Sequence, residues 1–212
     1  MSQDKPGLGT QTPVEFYDRD ADRIGERYTH VRFEDVQRKI LAHLPPPGST
    51  ILDVGAGSGR DAYALAERGF AVTAVEPATG LRRWAQQSAK SGFVEWIDDR
   101  LPDLEKLRSR NFRYDFILCS AVLMHLPPSQ LHTSMTSLRE LLVPGGILAI
   151  SVRNRIDSDP SGVFYDLSDE DLLAAAKAEG LGLIESSIDA DGFNRSDVQW
   201  HSFVFRDAAT HR

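Results

Sequence analysis

Ile51-Leu52-Asp53-Val54-Gly55-Ala56-Gly57-Ser58-Gly59-Arg60-Asp61 is the stretch whose reading decides the fold. An apolar strand over Thr50–Val54 runs into three glycines at alternate positions, and a helix starts at about Arg60. Glycine is needed where backbone turns tightly or presses against a ligand. The amides of such a turn, together with the helix N-terminus, attract negative charge. The turn therefore suits a pyrophosphate or the carboxylate of an amino-acid moiety. The dinucleotide fingerprint is spaced G-x-G-x-x-G, whereas here the glycines read G-x-G-x-G with Asp53 two residues before the first. A carboxylate is unfavourable beside a phosphate and favourable beside an ammonium group. The spacing thus favours the amino-acid moiety.

Outward from this turn, strand and helix signals alternate. The sequence predicts a helix over Arg60–Arg68, a strand over Ala71–Val75, a helix over Leu81–Lys90 and a weaker strand over Phe93–Ile97. Tyr114–Ser120 follows as a fourth strand, Ser129–Leu142 as a helix stopped by Pro144-Gly145-Gly146, and Ile147–Val152 as a fifth strand. Ser168-Asp169-Glu170-Asp171 caps a helix to Glu179, with Gly180 as its stop. Leu183–Ile188 and Val198–Phe205 finish the chain with no helix between them, which predicts an antiparallel hairpin. The expected fold class is α/β, a Rossmann-like seven-stranded mixed sheet with helices on both faces.

Upstream, the polar residues 1–11 read as a lead-in without order. Thr12-Pro13-Val14-Glu15 then supplies an N-cap, a proline at the first helical position and a capping-box glutamate. Helical character is expected to about Leu44, with a break near Thr29, before Pro45-Pro46-Pro47-Gly48. The chain divides into covering helices over 1–47 and a binding domain over 48–206.

A length of 212 residues suits one α/β domain. The net charge is −7 and no basic run occurs, so no nucleic-acid partner is expected. The opening lacks a signal-peptide pattern, and no apolar run approaches membrane-spanning length, which points to a cytoplasmic protein without a membrane partner. The single cysteine, Cys119, falls inside the apolar run Phe116–Met124 and reads as a core residue. A monomer or a homodimer fits this composition.

Three further stretches carry chemistry. Glu76 ends the second strand at a spacing suited to an acid that accepts from both hydroxyls of a ribose. Trp96-Ile97-Asp98-Asp99-Arg100-Leu101-Pro102 follows the third strand, where Asp98 or Asp99 is placed to take an adenine amino group. Ser120 and Ala121 leave the end of the fourth strand beside the first, at the crevice where open α/β sheets bind ligands.

In this order the four blocks resemble the class I S-adenosylmethionine-dependent methyltransferases, over about residues 48–154. The resemblance implies S-adenosyl-L-methionine as cofactor, S-adenosyl-L-homocysteine as product and methyl transfer to a small-molecule acceptor. It places Asp53, Gly55, Ala56, Gly57 and Gly59 at the methionine end and Glu76 at the ribose, with Pro77 also among the cofactor-binding positions. Asp98 or Asp99 with Leu101 falls at the adenine, and Ser120 and Ala121 near the sulfonium. Phe16, Tyr17 and Tyr28 match an N-terminal segment that closes over the cofactor in similar proteins.

The Asn/Asp-Pro-Pro-aromatic signature of the amino-methylating branches is replaced here by Ser120-Ala121-Val122-Leu123. No acids cluster at that place for magnesium and no histidines show ligand spacing, so a metal-independent enzyme is expected. His125 stands near the crevice as either a general base or a residue that packs and caps the next helix. Arg153, Arg155, Tyr165, Arg195 and Trp200 are candidates for binding an acidic or aromatic acceptor. The rival readings are a non-catalytic sensor or partner module on the same fold, and a nicotinamide-dependent oxidoreductase.

Overall fold

The computed structural model describes residues 11–87, 91–191 and 195–208. Its seven strands are β1 (Thr50–Val54), β2 (Ala71–Val75), β3 (Val94–Ile97), β4 (Tyr114–Ser120), β5 (Leu142–Arg153), β6 (Leu181–Ala190) and β7 (Gln199–Asp207). They form one sheet in the order β3-β2-β1-β4-β5-β7-β6. The first five run parallel, while β7 lies antiparallel between β5 and β6. The expected terminal hairpin is therefore present.

Alternate strand residues face two cores, as the pleat requires. Ile51, Val72, Phe116, Leu118, Ala149 and Val204 pack with α4 (Arg60–Glu67). Leu52, Val75, Ile117, Leu148, Ile150 and Phe205 pack on the other face, with α7 (Leu131–Glu140) and α8 (Asp169–Ala178). Cys119 belongs to this second core and is fully buried, and burial drives its thiol pKa far up. It is a packing residue.

The helical expectation for residues 12–44 holds in character but not in continuity. The region forms α1 (Pro13–Arg19), α2 (Ala21–Thr29), α3 (Phe33–Val36) and a 3-10 turn at Leu41–His43. The Thr12 capping box is present, with Glu15 N donating to Thr12 Oγ1 at 3.3 Å. The break after Thr29 is there, and a second falls at Asp20, which closes α1 and opens α2. A straight helix over this span would run about 50 Å. The broken one folds over the C-terminal ends of the strands.

α1 and α2 dock on α5 (Thr79–Gln86) through glycines. A Cβ on Gly80 would lie 2.9 Å from Ala21 Cβ, and one on Gly25 would enter the Trp84 ring. Gly80 N donates to Asp18 Oδ1 at 2.6 Å.

The structure departs from the sequence expectation at β5 and before β4. β5 begins at Leu142, so Pro144-Gly145-Gly146 lies inside a strand and not after a helix. The pairing slips there, from Tyr114–Leu142 to Phe116–Ile147, and Gly145 at φ +78° takes up the extra residues. The short helix α6 (Glu105–Arg108) was not anticipated. The predicted end of the α5 helix at Lys90 lies outside the described residues, as do positions 1–10 of the lead-in.

Candidate functional site

The strand order reverses between β1 and β4, and a cavity of about 1220 Å³ opens there beyond the C-terminal strand ends. The exits of β1, β2 and β4 line it, with α1 and α2 above. A drug-sized ligand needs roughly 300–1,000 Å³, so this volume exceeds what one such ligand requires.

Around the glycine turn, Gly55, Gly57 and Gly59 all have positive φ, between 55° and 79°. At Gly55 a side chain would also enter Val122, and at Gly59 it would come within 2.6 Å of Tyr63. The turn's amides are largely engaged by protein. Val75 O accepts from Gly55 N and Ala56 N, at 2.8 and 2.9 Å, and Glu76 Oε2 accepts from Gly57 N at 2.8 Å. These bonds lock the loop to the end of β2. Arg60, which follows the turn, also lines the cavity and is held by its neighbour Asp61 at 2.6 and 3.0 Å.

Two carboxylates then carry the electrostatics. Asp53 is 2% exposed, and its Oδ2 is buried without a hydrogen-bond partner. Burial, then the neighbouring charge of Asp61, pushes its pKa well up. The Glu76 carboxylate is buried as well and accepts from Gly57 N and from Ala78 N, the latter at 2.7 Å. Burial still raises it to about 7, against the pull of those amides. An unpaired buried carboxylate oxygen costs free energy unless a donor or cation meets it. Asp53 Oδ2 is such an oxygen, on the wall of the cavity.

Of the remaining positions expected at the site, Ala56, Pro77, Leu101, Ser120 and Ala121 line the cavity. Gly59 does not; its open side is filled by the Tyr63 and Trp96 rings. Neither Asp98 nor Asp99 stands on the wall. Asp99 accepts from Arg100 N at 2.9 Å and from Leu107 N at 3.0 Å, which fixes α6. Asp98 is exposed and pairs with Arg82 at 3.3 Å. Ala121 holds φ +61°, a left-handed conformation rare for residues other than glycine, and donates to Ser151 O at 2.8 Å.

His125 is 8% exposed and does not cap the following helix. Its Nδ1 lies 2.7 Å from Val163 O and its Nε2 3.1 Å from the Tyr17 hydroxyl. A carbonyl oxygen only accepts, so Nδ1 carries the proton and Nε2 receives the Tyr17 hydroxyl. Burial depresses the imidazole pKa to about 4. Tyr17 itself is pushed well up by burial and by Tyr28. At neutral pH the pair is an uncharged clasp between α1 and the crevice loop.

Several of the acceptor candidates turn out to be held by acids. Arg153 is gripped by Asp159, and Arg195 and Trp200 both donate to Asp191, the indole at 2.9 Å. Arg155 does not line the cavity, whereas Tyr165 does. Gln37 was not singled out by sequence. It is 3% exposed and its Nε2 donates to Asp61 at 2.7 Å and to Ser120 Oγ at 3.1 Å. One signal was available: Phe33, Gln37 and Ile40 fall at helical spacing, and a polar residue on that apolar face marks a buried partner.

A family model described as a methyltransferase domain matches residues 28–211. The ubiquinone biosynthesis O-methyltransferase of Xanthomonas axonopodis pv. citri is 33% identical over 118 residues, covering 55% of this chain and 48% of its own. The chain thus spans about half the length of that curated relative. An uncharacterized methyltransferase of Geobacillus kaustophilus is 26% identical over 201 residues, covering 91% and 90%. Among solved structures, the 1,6-didemethyltoxoflavin-N1-methyltransferase of Burkholderia thailandensis, with S-adenosylhomocysteine bound, has a TM-score of 0.67 at 20% identity. It covers 97% of this chain and 93% of its own. The fold, the switch-point cavity and the matched residues converge: the chain belongs to the methyltransferase-domain family, of the class I S-adenosylmethionine-dependent type that its sequence resembles.

Proposed function

We propose that this protein transfers the methyl group of S-adenosylmethionine to a small-molecule acceptor without a metal. The observation that carries the reading is the buried, unpartnered Asp53 Oδ2 at the glycine turn, a place for the ammonium of a methionine moiety. Arg60 would meet the carboxylate of the same moiety and Glu76 the ribose hydroxyls, while Leu101 covers the adenine and Pro77 the wall beside the ribose. When bound, the cofactor supplies an already activated methyl group on a sulfonium.

The chain's own residues then have little proton chemistry to do. Tyr17 and Tyr28 close the cavity from above and exclude water, and the strained Ala121 with Ser120 shapes the wall between cofactor and acceptor. Alignment and desolvation are the main contributions. With a pKa of about 4 and both ring nitrogens engaged, His125 is suited to orient Tyr17 and not to remove a proton at neutral pH. Among the described residues no three His, Cys, Asp or Glu side chains gather as a metal site. No described helix is long and apolar enough to cross a membrane.

The test is a fluorescence titration of the full chain with S-adenosylhomocysteine and, separately, with NADH. Binding of the first and none of the second is expected, followed by turnover of labelled cofactor on a metabolite panel and its survival in EDTA. Binding of NADH alone would overturn the cofactor assignment. A magnesium-restored loss in EDTA would overturn metal independence.

A further inference from the structure

A column of side chains lines one wall of the cavity. The Arg153 guanidinium lies 4.0 Å from the Phe164 ring centre. The Phe164 ring centre is 4.6 Å from that of His125, and His125 is 5.3 Å from Tyr17. The column starts from an ion pair within the wall. Arg153 NH1 and NH2 donate to the two Asp159 oxygens at 2.9 and 2.6 Å, with side chains 4% and 7% exposed. Asp159 also accepts from Ile156 N at 2.9 Å, and Arg153 NH1 donates to Asn154 O at 2.7 Å. The segment is fixed again by Val163 N on Pro160 O and by Tyr165 N on Met124 O, at 3.2 and 2.8 Å. Val163 O, which binds His125 Nδ1, therefore hangs from a loop whose shape the pair sets.

A buried ion pair is often no more stabilising than apolar residues of the same volume. Stability alone does not call for this one beside a ligand cavity, whereas a geometric task does. We propose that Arg153 and Asp159 are positioning residues: they fix the 156–164 loop so that Val163 O and Phe164 hold His125 in the single tautomer able to receive the Tyr17 hydroxyl. With its proton committed to His125, the Tyr17 oxygen can only accept further hydrogen bonds, and Tyr28 stands beside it. The arrangement makes the closure of α1 depend on the far side of the site. Among the described residues the imidazole is faced by the Tyr17 hydroxyl from α1, Arg153 from β5, and Asp159 and the Val163 carbonyl from the loop. The consequence for turnover rests on the methyl-transfer reading, but the tautomer does not.

The experiment is nitrogen-15 NMR of the histidines in the full chain at pH 7, with His125 assigned from a His125→Asn variant. Wild type should show His125 as a neutral ring protonated at Nδ1. The double variant Arg153→Met with Asp159→Leu leaves no unpaired charge. It should fold, lose the single-tautomer signature and bind S-adenosylhomocysteine about 3- to 10-fold more weakly, the worth of one hydrogen bond. Asp159→Asn, which keeps the side chain's shape, should also mix the tautomers and serves if the double variant does not fold. Retention of the Nδ1-protonated ring in both variants would overturn the proposal. Failure of wild type to bind S-adenosylhomocysteine would overturn the methyl-transfer reading and leave the tautomer result to decide this one.

Discussion

At the residue scale, Asp53 and Glu76 are held in the free protein at a cost. Each is buried with its pKa raised, and Asp53 has an oxygen with no partner. Asp53→Asn should therefore raise the melting temperature of the free protein while weakening S-adenosylhomocysteine binding about ten-fold or more, the loss of a charge-assisted bond. A destabilised variant that binds as wild type would contradict both halves. Glu76 gives a pH test. Ribose hydroxyls bind the ionised form, so cofactor binding should release a proton near pH 7, and affinity should fall as pH drops below it. Calorimetry at pH 7 in buffers of different ionisation heat reads that proton, and Glu76→Gln should reduce the release by the share of Glu76, leaving what Asp53 gives up on meeting the ammonium group. These two acids were legible because the strand ends and the glycine spacing fix where they point. Asp98 and Asp99 were legible only as a pair of acids, since capping α6 from outside requires knowing that α6 exists. Asp159 gave no sequence signal, because its partner Arg153 meets it only through the fold of the loop.

At the element scale, β1, β2 and β4 match their expected bounds, because each is a short apolar run closed by a polar residue or a glycine. The error at β5 has a physical source. Proline and two glycines normally end an element, but here they form a strand irregularity that Gly145's positive φ permits. The break of the N-terminal helix at Asp20 has no local signal beyond an aspartate, and docking on α5 accounts for it. That docking can be tested directly. Gly25→Val places a branched side chain into Trp84, so α2 should lift while the sheet stays folded. Hydrogen exchange should rise over residues 13–29 and not in β1 or β4, with S-adenosylhomocysteine affinity reduced several-fold. Uniform protection with unchanged affinity would show that these helices do not cover the cofactor.

At the scale of the whole molecule, the site's titrating groups pull stability in opposite directions over one pH range. Glu76 is raised from 4.5 to about 7, so the folded state binds its proton more tightly and stability falls as pH rises through that window. Asp53 acts in the same sense. His125 is lowered from 6.5 to about 4, so the folded state refuses a proton that the unfolded chain takes, and stability falls as pH drops through 6.5 toward 4. Between about pH 4.5 and 6.5 the contributions of Glu76 and His125 largely cancel, each with a slope near 1.4 kcal/mol per pH unit. Asp159 and Asp191 are lowered from 3.8 because their hydrogen bonds to Arg153 and Arg195 outweigh the cost of burial, so the stability they contribute is lost only as pH falls below about 4. The free wild-type protein should thus lose stability gently as pH rises from 5 to 6.5. His125→Asn, which removes the opposing histidine, should steepen that loss toward one further proton's worth. Glu76→Gln should reverse the slope or flatten it. Urea unfolding of the three proteins at half-unit pH intervals measures these slopes, and parallel curves for all three would refute the assignment of either group. Saturation with S-adenosylhomocysteine should flatten the wild-type curve above pH 6, because a ribose-bound Glu76 no longer resists ionisation.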